Sequence, residues 1–297
     1  MAMESIADAI GNRFDREKYQ ALTAKILANP EIQTFIEENG YNSDQVSKSL
    51  TKFNEYVSEK AKFSQSKPTK IDGYEPILID NEGFADVTYR ATVETLAKEA
   101  ELAKKRRVKL VGMPKDFATI TWSDVMLDDP RRATVYQTIT DFIAAYPAQN
   151  ALYLYGDFGV GKSFMMAAMA NELAAKGIST DIIHYPSFIS ESTGFDALKM
   201  QANEIKKSQV LVLDDIGAES NNDWIRDNIL QVILQYRMQE NLPTFFTSNL
   251  TMNELEQHLA MTKKGDETWP AKRVMERVHK LATELRLEGE NKRNGNS

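Results

Sequence analysis

The stretch ALYLYGDFGVGKSFMMAAMANELAA, residues 151–175, constrains the fold more than any other part of the chain. Ala151 to Tyr155 is an apolar run of strand length, and Lys162 to Ala175 has helical character up to a stop at Gly177. Between them Gly156, Gly159 and Gly161 allow a turn so tight that backbone N–H groups converge, the arrangement that binds phosphate at a helix N-terminus. The order Gly, four residues, Gly-Lys-Ser is that of a phosphate-binding loop, and the strand before it and helix after it are both present. Gly156, Asp157, Phe158, Gly159, Val160, Gly161, Lys162, Ser163 and Phe164 are therefore expected to hold ATP. Lys162 brings positive charge to the outer phosphates, and the Ser163 hydroxyl is a ligand for Mg2+.

Such a unit belongs in a parallel sheet. TDIIHY, QVLVLDD and PTFFTSN supply three more strands separated by helical segments, and ATELRLEG alternates as a last strand does. The alternation predicts an α/β architecture with helices on both faces of the sheet. QVLVLDD ends in Asp214 and Asp215, at the carboxyl edge where such sheets bind ligands. Asp214 fits the magnesium shell and Asp215 the activation of the attacking water. Asp215 is one methylene shorter than a glutamate, which predicts slow hydrolysis. FFTSN delivers Asn249 to the same edge, either to the γ-phosphate and water or as the cap of the helix in TMNELEQHL. In AKRVMERVHKL, Arg273 and Arg277 are four apart on one helical face. They either pair with surface acids or reach a neighbouring subunit's nucleotide as an arginine finger.

The first third of the chain differs. Residues 14–62 carry helical patterns, with Tyr19, Leu22 and Ile26 on one face and Val46, Leu50, Phe53 and Val57 on another, after a Ser43 or Asp44 cap. YEPILIDNEGFADVTY predicts two short strands around Asn81-Glu82-Gly83, followed by a helix with acids early and bases late. Cysteine is absent, which excludes disulfides and thiolate metal sites. His184, His258 and His279 are far apart, so no zinc is expected. A formal net charge of −7 argues against general coating of duplex DNA while leaving room for a local basic groove. No leader and no apolar run of membrane-spanning length is evident, which predicts a cytoplasmic protein.

The phosphate loop, LDDIGAE, FFTSN and RVMERV, in that order, resemble the DnaI/DnaC-type helicase-loader branch of the AAA+ ATPases. The likeness is strongest from about 110 to 289 and architectural before that. It implies a five-stranded parallel sheet with the Asn249 strand between those of the phosphate loop and Asp214, and no C-terminal lid. It implies a small helical domain at 1–62 that binds the helicase, a linker with short strands and a helix at 63–107, an AAA+ domain at 108–289 and a disordered tail at 290–297. LVGMPKDFATITWSDV would lie near the adenine. The resemblance assigns Lys162, Asp215, Asn249 and Arg277 to catalysis, Arg277 being the finger. It implies a weak ATPase stimulated by partners: the hexameric replicative helicase, single-stranded DNA and further copies through AAA+ interfaces. Phe188, Phe195, Lys199, Lys206 and Lys207 offer the stacking and charge that single strands need. The branch commonly carries a zinc-binding cysteine cluster where this chain has KIDGYEPILIDNEGFADVTYRAT. A transposition helper ATPase and a nucleotide-switched adaptor share the same motifs.

Overall fold

The computed structural model describes residues 18–125, 130–147, 150–220, 222–262 and 265–291. The expected helical start at 14 and the tail beyond 291 lie outside the described residues. The chain divides into two compact units, 1–100 and 101–297.

Among the described residues the first unit shows the helices α1 (18–27), α2 (Pro30–Glu38) and α3 (Ser43–Ser64). Pro30 opens α2 and the Asn29 side chain caps it. The cap of α3 is Asn42, one residue ahead of the expected Ser43 or Asp44. Its Oδ1 accepts the Gln45 N–H at 3.0 Å while Gln45 Oε1 accepts the Asn42 N–H at 3.0 Å, a closed capping box. β1 (Tyr74–Asn81) and β2 (Phe84–Ala91) form an antiparallel hairpin. Its two turn residues, Glu82 and Gly83, have φ of 53° and 84°, the left-handed pair that matches strand twist.

The hairpin lies on α3. Ile26, Ile32, Phe53, Tyr56 and Ala85 form one apolar core, with Val46, Val57, Leu78 and Val87 packed against it. Of the stripe Val46, Leu50, Phe53 and Val57, all but Leu50 join this core, and Phe53 is fully buried where β1 and β2 cover it. Of the expected α1 face only Ile26 is buried, and Tyr19 and Leu22 stay exposed. Glu59 ties the segment after α3 in place. Its carboxylate accepts Lys62 Nζ at 2.7 Å, the Lys70 N–H at 2.8 Å and the Tyr89 hydroxyl at 3.4 Å. A division at 62 would cut α3, which runs to Ser64, and would part the helices from the strands that complete their core.

α4 (Val93–Arg106) leads into the second unit. There β3 (Val108–Val111), two 3-10 turns (Lys115–Thr119 and Trp122–Asp124) and α5 (Pro130–Ala145) precede β4 (Ala151–Tyr155) and α6 (Lys162–Ala175). β5 (Thr180–His184), α7 (Tyr185–Ser190), α8 (Phe195–Ile205) and β6 (Val210–Asp214) follow. Next come α9 (Asp223–Ile225), a π-helical turn (Arg226–Leu230), α10 (Gln231–Gln239), β7 (Thr244–Ser248) and α11 (Met252–Ala260). A two-residue antiparallel pair, β8 (Met261–Thr262) with β9 (Gly265–Asp266), leads to α12 (Thr268–Leu281) and β10 (Ala282–Arg286).

The main sheet has the order β10-β4-β7-β6-β5-β3, with every neighbouring pair parallel. That is six strands rather than five. The addition is β3, whose four residues pair with β5 at the sheet edge. β7 lies between β4 and β6, as the resemblance implies. Alternation along β6 divides the core: Val210 and Val212 join the Met- and Ala-rich face of α6, while Leu211 and Leu213 join α10, α11 and α12. Burying each such side chain contributes about 1.5–3 kcal/mol, so the central strands are anchored from both faces. Their carboxyl ends are held rigidly by this core, and the polar residues sit there.

Candidate nucleotide site

Between β4 and α6 the chain turns through Gly156, Gly159 and Gly161, the last two with φ of 77° and 95°. Such angles strain any side chain, and at Gly161 a Cβ would also stand 2.7 Å from the Arg132 guanidinium. Lys162 is only 8% exposed, its ammonium drawn back into the loop. Lys162 Nζ donates to the carbonyls of Gly156 at 2.8 Å and Asp157 at 2.9 Å and to Asn249 Oδ1 at 2.8 Å. All three acceptors are neutral. Phe158 in this loop is exposed, whereas Val160 is buried.

The two acids share a strand end but not an environment. Asp214, 2% exposed, accepts the Thr247 hydroxyl at 2.7 Å. Burial pushes its carboxyl above the usual range, and hydrogen bonds from Ser163 and Thr247 oppose that rise. Ser163 and Asp214 thus meet, as a shared magnesium ion requires. A carboxylate buried at this cost is one a divalent cation would stabilise. Among the described residues no group of three or more His, Asp or Glu side chains is arranged to hold a metal. Asp215 turns away from Asp214 through a left-handed φ of 59°, rare for a side chain other than glycine. Thr247 holds that turn: its Oγ1 accepts the Asp215 N–H at 2.9 Å and its carbonyl accepts the Ile216 N–H at 2.9 Å. Asp215 Oδ1 accepts Asn249 Nδ2 at 3.0 Å, and Oδ2 lies 3.8 Å from His184 Nε2. Asn249 therefore bridges Lys162 and Asp215. It does not cap α11, which Thr251 caps in a box with Glu254.

Three residues close this site without having stood out in the sequence. His184 ends β5 beside Asp214, and its Nδ1 lies 2.8 Å from Ser187 Oγ at the start of α7. Arg132, on α5, donates from Nη2 to the Val160 carbonyl at 2.9 Å. Leu287 follows β10, is buried, and gives its N–H to the Tyr155 carbonyl at 2.7 Å. Its own carbonyl lies where a side chain on Gly156 would stand, and the Asn291 carboxamide lies where one on Gly159 would stand. The chain leaving the sheet is thus seated on two glycines of the loop.

Arg273 and Arg277 do lie on one helix, α12. Arg277 Nε donates to Gln235 Oε1 at 2.7 Å, and its guanidinium also meets the Arg273 carbonyl. These bonds hold it against α10 and do not lead to Lys162 or the acids.

The aromatic and basic candidates separate. Phe188 is buried in the core, so it offers no stacking face. Phe195 is 62% exposed, with its ring 4.2 Å from that of Trp224. Lys199 Nζ stands 5.5 Å over Trp224, and Lys206 Nζ stands 5.0 Å over Tyr236. Lys207 is exposed.

Among the described residues no helix is long and apolar enough to cross a membrane. Residues 3–89 match the family described as primosomal protein DnaI N-terminus, and residues 85–297 match that described as IstB-like ATP binding protein. The chain is 35% identical to the replicative helicase loader DnaI of Bacillus subtilis (strain 168), over 97% of each chain. A crystal structure of DnaI shares 38% identity over 63% of this chain and 98% of that one, with a TM-score of 0.57. A crystal structure of a candidate primosome component from Streptococcus pyogenes serotype M3 shares 44% identity over 65% of this chain and 98% of that one, with a TM-score of 0.55.

Proposed function

The chain belongs to the DnaI family of helicase loaders, built on an IstB-like ATP-binding module, and from that membership we propose that it hydrolyses ATP to place the replicative helicase on single-stranded DNA. The observation that carries the ATPase reading is the chain of bonds from Lys162 through Asn249 to Asp215. It joins the phosphate cation to the acid that receives the water's proton. Lys162 and the loop N–H groups bind the phosphates. Magnesium, held by Ser163 and Asp214, would add positive charge against them. Asp215 orients and deprotonates the attacking water, and Asn249 keeps that acid in register with Lys162. A short acid makes the reaction slow in the isolated protein, with partners raising the rate. Arg277 acts across a contact between copies as the finger.

The division of labour follows the two units. The first binds the helicase, with exposed Tyr19 and Leu22 of α1 as the apolar side available for it. The second binds ATP and single-stranded DNA, the latter on exposed Phe195, backed by the half-buried Trp224, with Lys199. The match of residues 3–89 to the DnaI N-terminus favours a loader over a transposition helper.

The test is co-purification with the host's replicative helicase and ATP turnover with and without it. A loader binds the helicase and turns over faster in its presence. Absence of binding by the full chain would overturn the loader reading. Binding without any turnover would leave a nucleotide-switched adaptor.

A further inference from the structure

We propose that Arg132 is a positioning residue for the nucleotide's phosphates, acting through the backbone of the phosphate loop. The inference rests on the nucleotide site described above. A phosphate nest works only if its N–H groups point inward and its carbonyls outward, because an inward carbonyl would repel the anion. Val160 lies within the loop, between Gly159 and Gly161. Its side chain is buried, and its carbonyl accepts Arg132 Nη2 at 2.9 Å. Arg132 itself is 3% exposed, so this bond is made away from water. The guanidinium fills the space that Gly161 leaves by having no Cβ, which ties the second motif glycine to this contact. A buried guanidinium thus pins a carbonyl that must stay out of the nest. Lysine would not replace it well, because the planar fork reaches the carbonyl from one fixed direction.

The experiment measures Mg-ATP affinity and steady-state kinetics in the full chain for Arg132→Met, Arg132→Gln and Arg132→Lys, with melting curves for each. Arg132→Met keeps an apolar stem, and Arg132→Gln keeps a donor without charge. The expected result is a Kd and a KM for ATP raised about tenfold in Arg132→Met, with a smaller rise in Arg132→Gln and Arg132→Lys. Once ATP saturates the site, kcat should stay within about twofold of the parent, since Arg132 does not touch the reacting atoms. An ATP affinity within twofold of the parent, in either Arg132→Met or Arg132→Gln that melts as the parent does, overturns the proposal. So does loss of the fold in all three, which would make Arg132 a residue of the core alone. If the parent itself binds no ATP, the nucleotide reading fails first and this one with it.

Discussion

Lys162 and Asn249 are joined by a 2.8 Å hydrogen bond from ammonium to carboxamide oxygen, although 86 residues separate them in the chain. The bond places the side chain of Asn249, just past β7, against the phosphate loop before any nucleotide arrives. Lys162→Ala should abolish tight ATP binding and lower turnover at least about a hundredfold. Because Lys162 is buried and serves three acceptors, the variant should also lose about 1–2 kcal/mol of stability while remaining folded. Asn249→Ala should keep ATP and slow its hydrolysis. Nucleotide titration and a turnover assay check both, and unchanged turnover in Lys162→Ala would falsify the site.

The two acids should fail differently. Asp215→Asn should retain ATP and lose turnover by about a hundredfold or more, since it removes the proton acceptor. Asp214→Asn should weaken binding only when magnesium is present, because that carboxylate meets Ser163. Titrations with and without the metal separate the two outcomes. Parent-like turnover in Asp215→Asn would assign the proton to another group.

Arg277 should act in trans. The variants Arg277→Ala and Lys162→Ala, each impaired alone, should regain some turnover when mixed. Each then contributes the half that the other lacks. The absence of rescue in assemblies shown to be mixed would count against a finger.

On the DNA face, Phe195→Ala and Trp224→Ala should each weaken single-strand binding by about tenfold, the scale of one lost base stack. Lys199→Ala should lower the salt dependence by about one counterion. Phe188→Ala makes the contrast: its ring is in the core, so it should cost about 3–5 kcal/mol of stability. Equal single-strand affinity in the Phe195 and Trp224 variants would move the DNA site elsewhere.

The first unit should be acid-sensitive through Glu59. Hydrogen bonding to Lys62, and then to the Lys70 N–H, holds its carboxyl below the usual range. A lowered folded-state pKa gives stabilisation that is present above the unfolded value, near 4.3, and lost as pH falls through the folded one. Hydrogen exchange in α3 and β2 should therefore quicken below about pH 4. Glu59→Gln should be less stable by about 1–2 kcal/mol at neutral pH and should flatten that acid limb. An unchanged acid limb in Glu59→Gln would remove Glu59 from this role.

The phosphate loop, both acids and Asn249 were legible because each rests on local pattern: glycine spacing, or an apolar strand that ends in polar residues. What escaped depends on contacts between distant segments. β3 is four residues long and follows a basic run, so its pairing with β5 leaves almost no periodic trace. The α3 stripe was evident as apolar, but sequence alone does not say that β1 and β2 would cover it. Phe188 and Phe195 are seven residues apart and look alike in composition, yet one faces the core and the other Trp224. Arg132 belongs to no motif, because its role is defined by the Val160 carbonyl it meets.

The seat of Asn291 on Gly159 also offers a handle for observing the loop at work. No cysteine occurs in the chain, so Asn291→Cys would introduce its sole thiol. A dye attached there would sit beside the phosphate loop, yet outside the set of groups that carry the chemistry. Its emission would follow nucleotide arrival and departure in real time, while the helicase and DNA are varied independently.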